Sequence, residues 1–128
     1  MTIYTRKSAS LKVKREPSGL FTLHHSGLLG KDEFEALRGL ALTHMQEHEG
    51  GAFYSDTRAS IPRQASFAYS LDRIFSANAP AAAIVVIPAQ LPQWQEYALR
   101  AASQGVVRRV FVCPARAHQW ASHQLAKR

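Results

Sequence analysis

Polar and apolar residues alternate near the start of the chain, and a longer period replaces this alternation further on. Residues 10–14 alternate in this way, with Lys12 and Lys14 at the polar positions, which predicts a half-exposed strand. A turn containing proline and glycine follows, and residues 20–25 form a second apolar segment. The two segments are therefore predicted to form a β-hairpin, whose lysines discourage pairing with the edge of another sheet.

Helical periodicity and short apolar runs take turns through the rest of the chain. Helices are predicted over residues 32–49, 65–77, 92–104 and 115–127, and strands over residues 52–56, 82–87 and 106–113. The order is β-β-α-β-α-β-α-β-α, which is typical of right-handed crossovers and parallel pairing. We therefore predict a single α/β domain over residues 1–128, with four helices on a mixed, mainly parallel five-stranded sheet.

Composition is consistent with one folded domain. The chain has 128 residues and is 46% hydrophobic, which is enough for a sizeable core. The single cysteine, Cys113, lies in an apolar run and is expected to be a buried, inert thiol. The N-terminal segment lacks the apolar core of a signal peptide, and the longest apolar run is too short to span a bilayer. We expect a soluble, cytoplasmic protein without a membrane span.

The chain is basic, with a formal net charge of +7 and a pI of about 10.1. Such a balance favours anionic partners. However, the basic residues are scattered, and no basic run is interleaved with aromatic residues. The pattern is typical of a solvated basic surface and argues against a nucleic-acid partner.

Residues 51–67 are the strongest candidate for a functional segment. An apolar strand ends at a carboxylate, a polar loop follows, and a helix then begins; ligands of open α/β sheets bind at such places. The candidate binding residues are Asp56, Thr57, Arg58, Ser60, Arg63 and Ser66. Two interpretations stay open. Asp56 could fix the turn while Ser66 caps the helix, or Arg58 and Arg63 could bind an anion with help from the helix amides.

Histidines supply the other candidates. His24 and His25 are adjacent in a strand and should lie on opposite faces, so His25 is either a hydrogen-bonded core residue or a group that reaches a pocket. His44 and His48 have the i, i+4 spacing that could share a metal ion. No HExxH sequence and no third ligand accompany them, so no metal site is predicted.

No recognised motif for catalysis or cofactor binding occurs in the sequence. It contains no G-x-S-x-G elbow, no P-loop and no G-x-G-x-x-G. We therefore predict that the protein is not an enzyme and needs no cofactor. A pocket between helices and sheet remains an alternative, with four candidate lining residues: His25, Tyr54, Phe67 and Trp94.

The element order resembles the STAS fold of anti-sigma factor antagonists, and more closely the SpoIIAA-like group, which is related to small Sec14-like modules. The matching features are a strand that ends at Asp56-Thr57-Arg58, the strand before the helix that carries Trp94, and Trp120 in the last helix. In phosphorylated STAS antagonists this strand continues into Asp-Ser-Ser-Gly. Here Arg58 stands at the position of the phosphorylated hydroxyl and Ala59 at that of the glycine.

The resemblance implies a regulatory or protein-interaction module that lacks the usual phosphorylation switch. Two alternatives remain open. One is a small apolar or anionic ligand-binding protein with a pocket beside the 56–66 loop, since Sec14-like modules hold apolar ligands. The other is an enzyme that uses Asp56 with His25. The partner is thus either a protein or a small ligand, and the chain could also form a homodimer.

Overall fold

The computed structural model of the chain describes residues 2–6, 9–29, 32, 36, 37, 39, 40, 43, 52–62, 81–105 and 107–126. Six strands and two helices have defined bounds there: β1 (Thr2–Arg6), β2 (Ala9–Arg15), β3 (Phe21–Leu29), β4 (Ala52–Pro62), β5 (Ala81–Val85), α1 (Leu91–Ser103), β6 (Val107–Phe111) and α2 (Pro114–Ala126). A 3₁₀ turn, Pro88–Gln90, directly precedes α1. The described residues from 32 to 43 are also helical.

The strands form one six-stranded mixed sheet in the order β1-β2-β3-β4-β5-β6. The β1–β2 and β2–β3 pairs are antiparallel, and the β3–β4, β4–β5 and β5–β6 pairs are parallel. The α/β class is confirmed, but the prediction of five mainly parallel strands was wrong. The missing strand is β1, a short edge strand that is held by backbone pairing with β2 and shows little hydrophobic patterning of its own.

Four helices were predicted, and two have defined bounds in the described part of the chain. The first predicted helix, over residues 32–49, is represented by the helical residues from 32 to 43. The second, over residues 65–77, lies outside the described residues. The last two were predicted within one residue of α1 and α2.

Local sequence explains where α1 begins and what it buries. Pro92 lies in its first turn, where a missing N–H costs no helical hydrogen bond. Trp94, Tyr97 and Ala101 are spaced by three and four residues and form its buried side. Their burial attaches α1 to the sheet.

Helices cover the two faces of the sheet unequally. The first face carries Phe53 and Ile84, and it packs against α1 and the helical residue Leu37. The second face carries Tyr54 and Val85, and α2 packs on it over β4, β5 and β6. The two core clusters are, on the first face, Leu11, Val13, Phe21, Leu23, Leu37, Phe53, Ala82, Ile84, Val86, Trp94 and Tyr97, and on the second, Leu20, Ala52, Tyr54, Ala83, Val85, Ala117 and Ala121.

The second face is open over β1, β2 and β3 in the described part of the structure. Ile3 is 56% exposed there, and Lys12, Lys14 and His24 are exposed beside it. Their position follows from strand pairing, because Ile3 is opposite Lys12, and Lys12 is opposite His24. An exposed polar sheet surface therefore lies beside α2.

The turn between β2 and β3 requires a glycine. Gly19 has φ +96°, and its N–H donates to the Glu16 carbonyl at 2.8 Å. A side chain there would have space, since the nearest atoms to an added Cβ, on Arg15 and Leu125, are 3.9 Å away. The constraint is therefore in the backbone rather than in packing.

Gly19→Ala is expected to lower the free energy of unfolding by about 1 kcal/mol, because alanine rarely adopts a positive φ. Gly39→Ala is the matched control. Gly39 is helical, and an added Cβ would meet nothing within 4 Å, so alanine should stabilise by about 1 kcal/mol. Urea unfolding midpoints of the two variants should move in opposite directions, and a shift of both in the same direction would contradict this interpretation.

Candidate functional site

The strand β4 continues six residues beyond Asp56, where the sequence had predicted its end. Its second half pairs in parallel with β3, so that Ala59 lies opposite Ser26 and Pro62 opposite Leu29. The predicted polar loop over residues 56–66 is therefore wrong up to Pro62. Their polar character predicts a loop, yet pairing with β3 keeps them extended.

A bulge interrupts the β3–β4 pairing beside Asp56. His24 lies opposite Asp56 and Ser26 opposite Ala59, so two steps along β3 match three along β4. The extra residue on β4 disrupts the ladder locally, which is how bulges redirect neighbouring side chains. The bulge lies at Thr57 and Arg58. The Thr57 hydroxyl donates a hydrogen bond to β5, and the Arg58 side chain donates to Asp56.

Three in-register residues form a polar row across the second face. Lys12 on β2 lies opposite His24 on β3, which lies opposite Asp56 on β4. Neighbouring strands are about 4.8 Å apart, so directly opposite side chains are within reach of one another. Asp56 also lies opposite Val85, the last residue of β5, so the row ends where the shorter strand ends.

Arg58 engages the Asp56 carboxylate with two side-chain hydrogen bonds. Its Nε donates to Oδ1 at 3.0 Å and its Nη2 to Oδ2 at 2.8 Å, and its backbone N–H donates to Oδ1 at 3.1 Å. His24 Nδ1 is 3.8 Å from Oδ2. The carboxylate is 10% exposed, whereas the Arg58 side chain is 43% exposed. The pair is thus anchored in the sheet and reaches solvent through the guanidinium.

The protonation of Asp56 follows from these contacts. Burial alone would raise its pKa, but the hydrogen bonds from the Arg58 side chain and backbone outweigh burial and lower it below its usual value. The same carboxylate raises the pKa of Arg58. Asp56 therefore stays ionised at neutral pH and is a poor proton acceptor for catalysis.

An open cavity of about 450 Å³ lies over this part of the sheet. Its described lining residues come from β2, β3 and β4: Lys12, His24, His25, Ser26, Asp56, Arg58 and Ala59. Two of them, Lys12 and Arg58, are basic, and the single carboxylate among them is already paired with Arg58. The cavity therefore presents an excess of hydrogen-bond donors and positive charge.

Two predicted site residues, Thr57 and Ser60, lie within β4 and not in a loop. Thr57 is 5% exposed, and its hydroxyl donates to the Val85 carbonyl at 2.8 Å, which attaches β4 to β5. Ser60 lies opposite Gly27 within the strand. Arg63, Ser66 and Phe67 lie outside the described residues, so their predicted roles stay predictions.

The His25 side chain lies on the first face, as the alternation predicted, although the residue also borders the cavity on the second face. It is 3% exposed, and its Nε2 is 3.2 Å from the Ser55 hydroxyl. Asp56 is on the opposite face, where its histidine neighbour is His24. The arrangement of Asp56 with His25 that an enzyme would need is therefore not formed.

The two aromatic pocket candidates are on different faces. Tyr54 is buried beside the polar row on the second face, with its ring centroid 5.9 Å from that of His24 and 5.8 Å from that of His118. Burial and the Asp56 charge raise the pKa of Tyr54 against the opposing effect of Arg58. Trp94 packs edge-on against Tyr97 in the core of the first face, and neither aromatic residue is a described lining residue of the cavity.

Sequence reasoning missed Lys12 and His24 as site residues. The sequence pattern predicts only that Lys12 protects a sheet edge and that His24 lies on the face opposite to His25. Their alternation along the strands was visible, but their alignment with Asp56 depends on the pairing register. Only the folded sheet brings the three residues together.

Cys113 is exposed, so the prediction of a buried thiol was wrong. The residue follows β6 and directly precedes Pro114 at the start of α2, beyond the apolar part of the strand. Hydrogen bonds from the backbone N–H groups of Arg116 and Ala115 lower the pKa of Cys113 against a smaller opposing effect of burial.

Neither a candidate metal-ion cluster nor a membrane-spanning helix occurs in the described part of the chain. No group of three His, Cys, Asp or Glu residues there could hold a metal ion. The two histidines whose spacing would allow a shared metal ion, His44 and His48, lie outside the described residues. No helix in the same part is long and apolar enough to cross a membrane.

Comparisons with known proteins identify the fold. No protein-family model matches the chain, and no curated protein matches it. Among solved structures, it is similar to an uncharacterised protein of the DUF3478 family with a SpoIIAA-like fold from Shewanella loihica PV-4. The similarity has a TM-score of 0.58 and covers 94% of this chain and 98% of the other, with 14% identity. The chain has a SpoIIAA-like fold, which confirms the predicted resemblance at the level of fold.

Proposed function

We propose that the protein is a non-enzymatic regulatory or protein-interaction module of STAS-like type. Its contact surface is the polar row Lys12, His24 and Asp56, together with Arg58 and the cavity over them. The observation that supports the proposal most directly is the exposure of Lys12, His24 and Arg58 around the buried Asp56, on the part of the second face that α2 leaves open. The SpoIIAA-like fold is consistent with such a role.

The chemistry of the row favours binding over catalysis. Asp56 is held ionised by Arg58, which makes it a weak general base at neutral pH. The hydroxyl of Ser55 lies in the core of the first face beside His25. The two residues are only 1% and 3% exposed. These groups stabilise the sheet, while the exposed cations are available to a partner.

The position of Arg58 distinguishes this module from phosphorylated STAS antagonists. A hydroxyl at that position gains negative charge when it is modified. Arg58 instead carries a permanent positive charge and forms an ion pair with Asp56. We propose that contact at this surface does not require phosphorylation at this position and selects a partner with negative charge.

Charge reversal at Lys12 tests the surface. Lys12→Glu should reduce retention of a partner about tenfold, because an interfacial charge reversal removes an attraction and adds a repulsion. Lys12 is exposed, so the fold should be unaffected. The measurement is quantitative affinity enrichment from an extract of the source organism with wild-type and variant protein.

Arg116→Glu is the matched control for that experiment. Arg116 is also exposed and lies in the first turn of α2, where a carboxylate suits the helix dipole. A partner of the proposed surface should be retained by wild type and by Arg116→Glu and lost with Lys12→Glu. Equal retention by all three proteins would contradict the assigned surface.

A small-ligand binder is the second candidate function, and the open cavity of about 450 Å³ favours it. That volume falls in the lower part of the range for small-molecule sites, about 300–1,000 Å³. The cavity lies on the second face, outside the core between the helices and the first face. Its described polar lining favours a polar ligand over an apolar one.

A further inference from the structure

We infer that the cavity beside the polar row binds an oxyanion, a carboxylate or phosphate group, between Lys12 and Arg58. This inference rests on the proposed function in that it uses the same surface and names the chemical group that is recognised there. The group can belong to a small free anion or to an acidic side chain of a protein partner. The recognition chemistry is the same for both sources.

Lys12 supplies the first part of the site. It lines the cavity, and its ammonium group makes no hydrogen bond or ion pair with the described part of the chain. All the donors of its ammonium group are therefore available to a ligand. Its neighbours across the two strand pairs are Ile3 and His24, neither of which carries a negative charge.

Arg58 supplies the second part, and Asp56 orients it. Nε and Nη2 each donate one hydrogen bond to the carboxylate, and a guanidinium carries more N–H donors than these two bonds use. The side chain is 43% exposed and lines the cavity. A guanidinium that is fixed on one side and open on the other is pre-organised for an oxyanion, since fewer side-chain rotations are lost on binding.

Negative charge around the cavity is already compensated. Of the four acidic residues among those described, Glu16, Asp32, Asp56 and Glu96, only Asp56 lines the cavity. Its charge is paired with Arg58, which leaves the charge of Lys12 in excess. The formal net charge of +7 adds a weak long-range attraction for anions. A cation would be repelled by the same groups.

His24 lies between the two cations. Its side chain is 51% exposed, with Nδ1 3.8 Å from Asp56 Oδ2. The imidazole can donate a hydrogen bond from its other nitrogen to a ligand above it. The row therefore offers donors from three adjacent strands to one anionic group.

The test is a titration of the full chain with inorganic phosphate, and separately with acetate, followed by ¹H–¹⁵N NMR. Sodium chloride at the same ionic strength is the reference, because exposed electrostatic contacts are screened by salt. Phosphate or acetate should give saturable shifts confined to the amides of His24, Ser26, Arg58 and Ala59. Shifts that do not saturate, or that chloride reproduces, would overturn the inference.

Two substitutions separate an oriented site from general attraction. Lys12→Gln should weaken binding by about twofold to fivefold, as for the loss of one partly exposed charge contact. Arg58→Lys keeps the charge but loses the planar fork, and it should weaken binding by a similar factor. The control Arg116→Gln removes the same charge elsewhere and should leave the dissociation constant unchanged. Equal weakening by Lys12→Gln and Arg116→Gln, with no effect of the charge-conserving Arg58→Lys, would show binding to net charge alone and would reject the site.

A final arm separates this inference from the proposed function. If phosphate saturates the site and also releases a retained partner, the recognised group is an acidic side chain of that partner. If phosphate or acetate saturates the site but no partner depends on Lys12, the anion is a free small molecule; the inference then stands and the protein-interaction proposal fails. If a partner depends on Lys12 while neither anion binds, the proposed function stands and the inference fails.

Discussion

Leu23→Ala is expected to lower the free energy of unfolding by about 2–5 kcal/mol, the range for removing a buried leucine side chain. Leu23 has no exposed surface and belongs to the core of the first face. It lies opposite Val13 on β2 and Ser55 on β4, so its loss leaves a cavity at the junction of the antiparallel and parallel halves of the sheet. Domains are typically stable by only about 5–15 kcal/mol, so this is a large fraction.

Leu99→Ala is the matched control for the core substitution. Leu99 is 74% exposed on α1, and its replacement should change stability by less than about 0.5 kcal/mol. Urea unfolding followed by circular dichroism measures both variants. Similar losses for the two leucines would contradict the assignment of Leu23 to the core.

The core variant also tests whether the two faces act separately. Lys12 and His24 are on the second face, whereas the side chain of Leu23 is on the first. Folded Leu23→Ala protein should therefore keep the phosphate response of the wild type within about twofold, because successive side chains of a strand point to opposite faces of the sheet. A complete loss of the response in a folded variant would show that the faces are coupled.

The elements that sequence predicted well have signals within or next to their own residues. The helix predicted over residues 92–104 is α1, Leu91–Ser103, and the one predicted over residues 115–127 is α2, Pro114–Ala126. Proline marks both starts, and a glycine follows α1. The buried strand β5 was found because its unbroken apolar run needs cover on both faces.

The elements that sequence missed depend on contacts between distant residues. The second half of β4 is extended because it pairs with β3, and no local pattern indicates this. The same is true of β1, which exists as a strand through its pairing with β2. Both errors therefore have one cause, the stabilisation of polar strands by neighbours that sequence alone does not identify.

The candidate site divides in the same way. Asp56 was predicted because a carboxylate ends an apolar run, and Arg58 because it follows closely. Lys12 and His24 are 44 and 32 positions before Asp56 by their numbers in the sequence, and only the strand register aligns them with it. The local sequence is enough to identify Asp56 as a candidate. Lys12 and His24 are identified as its neighbours only by the strand pairing.

Asp56→Ala is expected to lower the free energy of unfolding by about 2 kcal/mol at neutral pH, since hydrogen bonds to a charged group contribute about 1.5–3 kcal/mol and the exposed partner reduces this. The substitution removes the acceptor of both Arg58 side-chain bonds and of its backbone N–H. Glu96→Ala is the control. Glu96 also pairs with an arginine, Arg100, at 2.9 Å, but both side chains are more than half exposed, so the loss should be about 0.5 kcal/mol or less.

The pH dependence of this effect has a defined sign. The folded-state pKa of Asp56 is lowered from an ordinary value of 3.8, so the unfolded chain binds the proton more tightly than the folded one. The stabilisation by Asp56 is then fully present above the unfolded pKa and is lost as pH falls through the folded pKa. The stability difference between wild type and Asp56→Ala should be constant from about pH 6 to 8 and should narrow below about pH 4. Urea unfolding across this range measures it, and a difference that stays constant into acid would mean that Asp56 stabilises the sheet by packing rather than by its charge.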